Sequence, residues 1–561
     1  MSKYSFDTVS NIYVARRKFD KSHMVKTSLK VGKLTPIDVQ EVLPGDGYYT
    51  KMRSIVRLST AFLRPVMDNF FIDTYHFFVP LRLLYNNYEH VFGNPSPNAY
   101  ETPDFDEFPS FTEAINVREK TVGDYLGLPT KGDLPKGISV LPFRAFAQIY
   151  EHWFRNQNTV QPMYIYNGDF NRVELPNDDK WSPTNYTGKL PSVNKLNDYF
   201  TSCLPAPQKG PGIVLPIGDR APVTGQVSIH SSSAGGHGTK IYIEGYGTAS
   251  GKPYGLGFIG GSTGALGRLM PTVDPNAQAS GSSVEFDLYG NIKSGAYADL
   301  SAATAISVND LRFAFQMQKM LEKDARGGSR YREYVRSHFG VAVADVRAEI
   351  PEYLGGMRTP LNLQQVAQTS QGSAESPLGS LGAYSQSYTR SRYSKSFDEH
   401  GYIFTLAVVR YKHSYQQGID KLFYRSRRED FYDPLFANLG EQPVYKTQLY
   451  GYKQSAATEL KGDPFGYQEA WADYRYCPDT ITGEMRSNAT NTFDVWHFAD
   501  NYKSPPTLTE DFTNETDMFF RRATAIDGSA DVDDFIAQFY FDSYVLRSMP
   551  IRSVPGLIDH H

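Results

Sequence analysis

Two glycine motifs in this 561-residue sequence have the spacing of nucleotide or acyl chemistry. Gly255-Leu256-Gly257-Phe258-Ile259-Gly260 satisfies the dinucleotide pattern, in which glycines let backbone amides approach a pyrophosphate at a helix N-terminus. Gly260-Gly261-Ser262-Thr263-Gly264 satisfies the nucleophile-elbow pattern. Both lie in a glycine-rich stretch where such patterns arise from composition alone, and neither has the strand-then-helix context that the chemistry needs. The twelve histidines show no paired i, i+4 metal spacing, and Asp559-His560-His561 reads as an exposed terminal cluster. Acidic pairs are plentiful, but sequence alone sets no two of them across a glycosidic bond. Cys203 and Cys477 are too few for a disulfide framework, a Cys-rich zinc site or an iron–sulfur centre, and point to a reduced compartment. No catalytic, cofactor-binding or metal site is expected.

The cations are more informative. The formal charge is −4, yet the first 33 residues hold eight lysines and arginines against Asp7 and Asp20. A basic N-terminal arm, 1–33, therefore precedes an acidic body. Arg16, Arg17, Lys18, Lys21, Lys26 and Lys30 are candidate phosphate contacts, because each phosphate neutralised releases counterions. Tyr4, Phe6, Tyr13 and Phe19 are placed among them to stack on exposed bases without demanding a sequence. Arg425, Arg427 and Arg428 form a second candidate cluster, and Arg521-Arg522 a third. The alternatives are a solvated, mobile terminus for the arm and interfacial ion pairs for the other clusters.

The elements that must carry these residues are mainly strands. Aromatic residues make up 14%, with 46 glycines and 34 prolines, which favours β-structure joined by long articulated loops. Residues 69–80, 401–411 and 535–546 are apolar on both alternating faces and are expected to be covered on both sides. A helix over 142–157 follows Pro142, and a second over 310–326 places Phe313, Met317, Met320 and Leu321 on one face before Gly327-Gly328 stops it. Both apolar stripes are expected to face the core. Between 205 and 300 lie 19 of the 46 glycines with few charges, and alternation survives at 227–229, 240–244 and 284–289, the last running into a Gly290-Asn291 hairpin signal. This is read as a Gly-rich β-insertion, with core segments 34–204 and 301–561 on either side. No apolar run approaches the ~20 residues of a membrane helix. The opening Met1-Ser2-Lys3-Tyr4 has no apolar h-region, so no secretory signal or membrane insertion is expected.

Several blocks of unusual wording recur in a fixed order. Among them are Glu41-Val42-Leu43-Pro44-Gly45-Asp46, Phe77-Phe78-Val79-Pro80-Leu81-Arg82, Leu141-Pro142-Phe143-Arg144-Ala145 and Asp324-Ala325-Arg326-Gly327-Gly328. Pro351-Glu352-Tyr353-Leu354-Gly355-Gly356, Tyr415-Gln416-Gln417-Gly418, Phe465-Gly466-Tyr467-Gln468-Glu469-Ala470-Trp471 and Val554-Pro555-Gly556-Leu557-Ile558-Asp559-His560 continue the series. In this order the chain resembles the major capsid proteins of Microviridae, the small single-stranded DNA bacteriophages, and the gokushovirus branch in particular.

The resemblance implies a single eight-stranded jelly-roll β-sandwich with long loops, a few helices and the Gly-rich insertion as a protrusion near the three-fold axes. It implies a virion protein that self-assembles into a T=1 icosahedral shell around circular single-stranded DNA, assembled in the bacterial cytoplasm. An internal scaffolding protein, a minor capsid or pilot protein and a host receptor follow as expected partners, and the basic arm has the scaffolding protein or a neighbouring subunit as alternatives to DNA. No cofactor is implied. The competing reading is a secreted β-sandwich that binds or cleaves polysaccharide on its Tyr and Phe platforms; the absence of an export signal, of an identifiable acid pair and of more than four tryptophans weighs against it.

Overall fold

A computed structural model describes residues 15–552 apart from 61, 94–105, 169–178, most of 214–307, 362–364, 368–380, 385–386, 456–458 and 526–530. Tyr4, Phe6, Tyr13 and the terminal His pair lie outside the described residues.

Nine strands build two antiparallel sheets. They are β1 (Arg16–Asp20), β2 (His23–Leu29), β3 (Thr35–Val42), β4 (Gly47–Leu58), β5 (Phe70–Pro80), β6 (Glu352–Leu361), β7 (Ser387–Ser396), β8 (Gly401–Tyr411) and β9 (Phe535–Ser548). One sheet runs β1-β9-β4-β7, with β2 also on β9, and the other runs β6-β5-β8-β3. β1 and β2 follow one another along the same edge of β9, opposite 544–548 and 535–541 respectively, so each sheet has four lateral positions. Strict alternation in β4 turns Tyr48, Thr50, Met52, Ser54, Val56 and Leu58 inward. Phe70 of β5, Tyr411 of β8 and Phe535 of β9 meet Phe498 and Phe520 in an aromatic cluster between the sheets, with Phe70 to Phe498 centroids 4.9 Å apart.

The outer face of the second sheet is also covered. Phe77, Val79, Phe404, Leu406 and Val408 pack with Leu141, Phe143, Phe146 and Ile149 of α1 (Leu141–Ile149). β5 and β8 are therefore buried on both sides, as their sequences require. The helix is shorter than the expected 142–157: after Ile149 the chain widens into a π turn over Tyr150–Phe154, closed by Arg155 N–H donating to the Tyr150 carbonyl. α2 (Val308–Gly327) keeps the expected span, and Gly328 follows in the left-handed region at φ +89°. Its stripe is not core, however. Phe313 and Met320 are exposed while Met317 and Leu321 are half-buried, so among the described residues that face is not packed into the core. The following helix, α3 (Tyr331–Phe339), buries none of its residues.

Residues 213–316 form a separate compact unit. Within it, Gln226–His230 pairs with Asp287–Asn291 and Arg220–Pro222 with Tyr297–Asp299, both antiparallel. Gly290 and Asn291 lie in the ladder opposite Val227 and Gln226, so the hairpin turn expected at 290–291 is strand instead. The strand expected at 240–244 lies outside the described residues.

A buried ion cluster ties the segment around Lys195 to the loops beyond β8. Lys195 Nζ lies 3.1 Å from Asp500 Oδ2, His413 Nδ1 lies 2.6 Å from Asp500 Oδ1, and His413 Nε2 lies 2.8 Å from Glu515 Oε1. Both ring nitrogens face carboxylates, so both must donate, which only the protonated imidazole can do. Burial opposes that charge, but Asp500 and Glu515 outweigh it and raise the His413 pKa to about 9.

Candidate nucleic-acid interface

Among the described residues, nothing covers one face of the first sheet. In β9 the inward set, Phe535, Ala537, Phe539, Phe541 and Val545, is buried, while Ile536 and Tyr540 on the other side are 54% and 39% exposed. This corrects the expectation that 535–546 is covered on both sides: the second apolar set is open in the isolated chain.

Register decides what else shares that face. Residues directly opposite point the same way in an antiparallel pair. From β4 the open face takes Tyr49, Lys51, Arg53 and Arg57, since its even positions are buried. From β7 it takes Tyr388, Arg390 and Arg392, opposite Ile55, Arg53 and Lys51. From β1 and β2 it takes Arg16 and Lys18, opposite Ser548 and Leu546, and Lys26, opposite Gln538. Eight cations thus meet two carboxylates, Asp20 and Asp542, on one surface. Lys18 Nζ stands 4.1 Å from the Tyr544 centroid, Tyr544 stacks on Tyr49 at 5.0 Å, and Lys51 Nζ stands 5.3 Å from Tyr49. Among the described residues, Lys51, Arg53, Arg390 and Arg392 enter no ion pair.

The candidates read from the sequence divide on this frame. Arg16, Lys18 and Lys26 lie on the open face. Lys21 is exposed at the turn between β1 and β2, where its backbone N–H donates to Ser543 O at 2.8 Å. Arg17 alternates to the other side, level with Arg547. The segment from Arg16 to Leu29 is therefore strand rather than a free arm, because β9 offers it a full edge of backbone partners. Phe19 packs inward against the core and is no stacking platform. Lys30 is already committed, with Nζ 2.8 Å from Asp531 and 3.5 Å from Asp517. Burial works against its charge, but these carboxylates prevail and raise its pKa. Arg425 pairs with Asp473 and stacks over Tyr474 at 4.3 Å, so it supports a loop. Arg427 and Arg428 are exposed on that same loop, with Arg427 3.9 Å from Glu429. Arg521 and Arg522 are engaged too: Arg521 pairs with Asp517 at 2.8 Å, and Arg522 donates to Ala499 O at 2.7 Å.

Sequence reasoning missed Lys51, Arg53, Arg57, Arg390 and Arg392. The available signal was the alternation of basic with small or apolar residues at 51–57 and 388–392, which marks strands whose solvent face is cationic.

A sheet face with tyrosines between cations can stack bases and hold phosphates without reading sequence. The protein family described as capsid protein (F protein) matches residues 8–557 of this chain. The chain belongs to that family. Capsid protein VP1 of Chlamydia phage 1 is 36% identical to it, over 99% of this chain and 98% of the relative. The corresponding VP1 of Bdellovibrio phage phiMH2K is 35% identical over 99% and 98%, and that of Spiroplasma virus 4 is 36% identical over 99% and 97%. The family decides between the two readings of the sequence in favour of the capsid subunit, a virion component whose kind implies assembly with its own copies. Among the described residues, no helix of this capsid protein is long and apolar enough to cross a membrane.

Proposed function

We propose that this capsid protein closes into a T=1 icosahedral shell around circular single-stranded DNA, with the open face of the first sheet turned to the genome. The asymmetry of the sandwich carries this reading. One sheet is roofed by α1 and its loops, whereas the other presents Tyr49, Tyr540 and Tyr544 beside Lys51, Arg53, Arg390 and Arg392, which enter no ion pair among the described residues. The strand orders β1/β2-β9-β4-β7 and β3-β8-β5-β6 support an eight-stranded jelly roll, the two-sheet arrangement common in viral shells. Each subunit makes the same contacts by symmetry, so individually weak contacts multiply around a closed shell. No bond chemistry is required of such a subunit, in keeping with its structural family.

The segment 205–300 is assigned to host contact at the outer surface, and an internal scaffolding protein and a minor capsid or pilot protein are the remaining partners. Negative-stain microscopy of the expressed chain is expected to show small uniform spheres, and extracted particles are expected to yield nuclease-protected single-stranded DNA. A chain that stays monomeric under every assembly condition would overturn the reading. Deleting 235–264 is expected to leave shells intact while impairing adsorption; loss of shells would make that segment architectural.

A further inference from the structure

We infer that the apolar surface between Leu422 and Leu439, continued by Tyr474 and Tyr476, is a contact face for a second copy of this chain. Seven large apolar side chains of that segment and both tyrosines are each 43–89% exposed. Their exposed area is on the order of 800 Å². The largest apolar patch on an ordinary monomer is about 300–600 Å², whereas one side of a standard interface is about 800 Å².

The surface is built to be rigid. Asp433 caps a 3-10 turn over Pro434–Phe436, its carboxylate accepting from Leu435 N–H at 2.9 Å. The indole of Trp471 donates to Phe436 O at 2.8 Å from the other side. Leu435, 89% exposed, is thus held out on a fixed turn, so little entropy is lost when it is buried. Tyr432 and Tyr474 lie 6.1 Å apart, and Tyr474 also lines a cleft of about 670 Å³ with Leu422, Phe423 and Tyr476.

Charge selects the occupant. Residues 422–439 hold three arginines, Arg425, Arg427 and Arg428, and three carboxylates, Glu429, Asp430 and Asp433. Equal numbers of both signs beside the apolar side chains let two copies pair opposite charges across the contact and offer a polyanion no net attraction. This assignment rests on the capsid reading, which makes further copies of the chain its obligatory neighbours.

The test compares wild type with a Leu435→Asp, Phe423→Asp double variant and a Leu435→Met control. Both replaced side chains are exposed, so the double variant is expected to keep the wild-type circular dichroism and melting temperature. Its pairwise association is expected to weaken about tenfold to a hundredfold per side chain. Particles are then lost, whereas Leu435→Met retains them. In parallel, hydrogen exchange over 431–439 is expected to slow when wild-type subunits become particles, a measurement that stands even if the double variant misfolds. Particles from the double variant at wild-type yield, or exchange unchanged by assembly, would overturn the contact face alone. Protection that appears only with a second virion protein would overturn it as well. Wild-type subunits that never associate would instead strike the capsid reading.

Discussion

Replacing Lys51, Arg53, Arg390 and Arg392 together by glutamine should separate nucleic-acid affinity from stability. These four side chains project from β4 and β7 on the open face, and register places Arg390 opposite Arg53 and Arg392 opposite Lys51. Like charges directly opposite one another cost about 0.2–1 kcal/mol per pair, so the free subunit carries two unfavourable pairs. Neutralising them should leave the melting temperature unchanged or raise it slightly. Binding should move the other way. Each phosphate contact with a single strand contributes about 0.7 to the slope of log K against log salt. Loss of four contacts lowers that slope by nearly 3, which near 0.15 M salt amounts to roughly 200-fold in affinity. Fluorescence anisotropy with an oligothymidine, titrated at several salt concentrations, measures both quantities. Lys30→Gln is the internal control: it removes the ion pairs to Asp531 and Asp517, so it should destabilise the fold and leave the salt slope alone. A quadruple variant with the wild-type slope, or one whose affinity falls by less than about threefold, would refute the assignment of this face to DNA.

Other changes test separate parts of the structure. Tyr49→Ala with Tyr544→Ala should weaken oligonucleotide binding about five- to a hundredfold per stacked base while preserving the salt slope, since stacking releases no counterions. Asp500→Asn leaves Lys195 and His413 buried without their shared carboxylate and should cost about 3–5 kcal/mol by chemical denaturation. In the wild type, His413 has a folded pKa of about 9 against an ordinary 6.5, so its stabilising contribution is fully present below pH 6.5 and is lost as pH rises through 9. Unfolding measured from pH 6 to 10 should show that alkaline loss, and His413→Asn should remove it. Gly32→Ala should cost about 1–3 kcal/mol, because Gly32 sits at φ +74° and a Cβ there would stand 2.5 Å from the Glu515 carbonyl oxygen.

Local pattern alone determined much of this protein. The two-faced apolar runs at 69–80 and 401–411 became β5 and β8, buried on both sides, because only a doubly covered strand tolerates such sequence. The stripe after Pro142 became α1, packed on the second sheet. The ordered blocks identified the family without any structure, since eight such runs in fixed order do not arise from composition. The cationic face was not legible in the same way. Arg390 and Arg392 are more than 330 residues from Lys51 and Arg53, and only the register of β7 on β4 sets them side by side. The same distance hid the losses: Lys30 reads as a free cation until the fold returns Asp517 and Asp531 to it from some 490–500 residues away. Charge in a sequence is additive, whereas charge on a surface depends on which partners long-range pairing delivers, and that is decided only when β7 pairs with β4 and Asp517 and Asp531 reach Lys30.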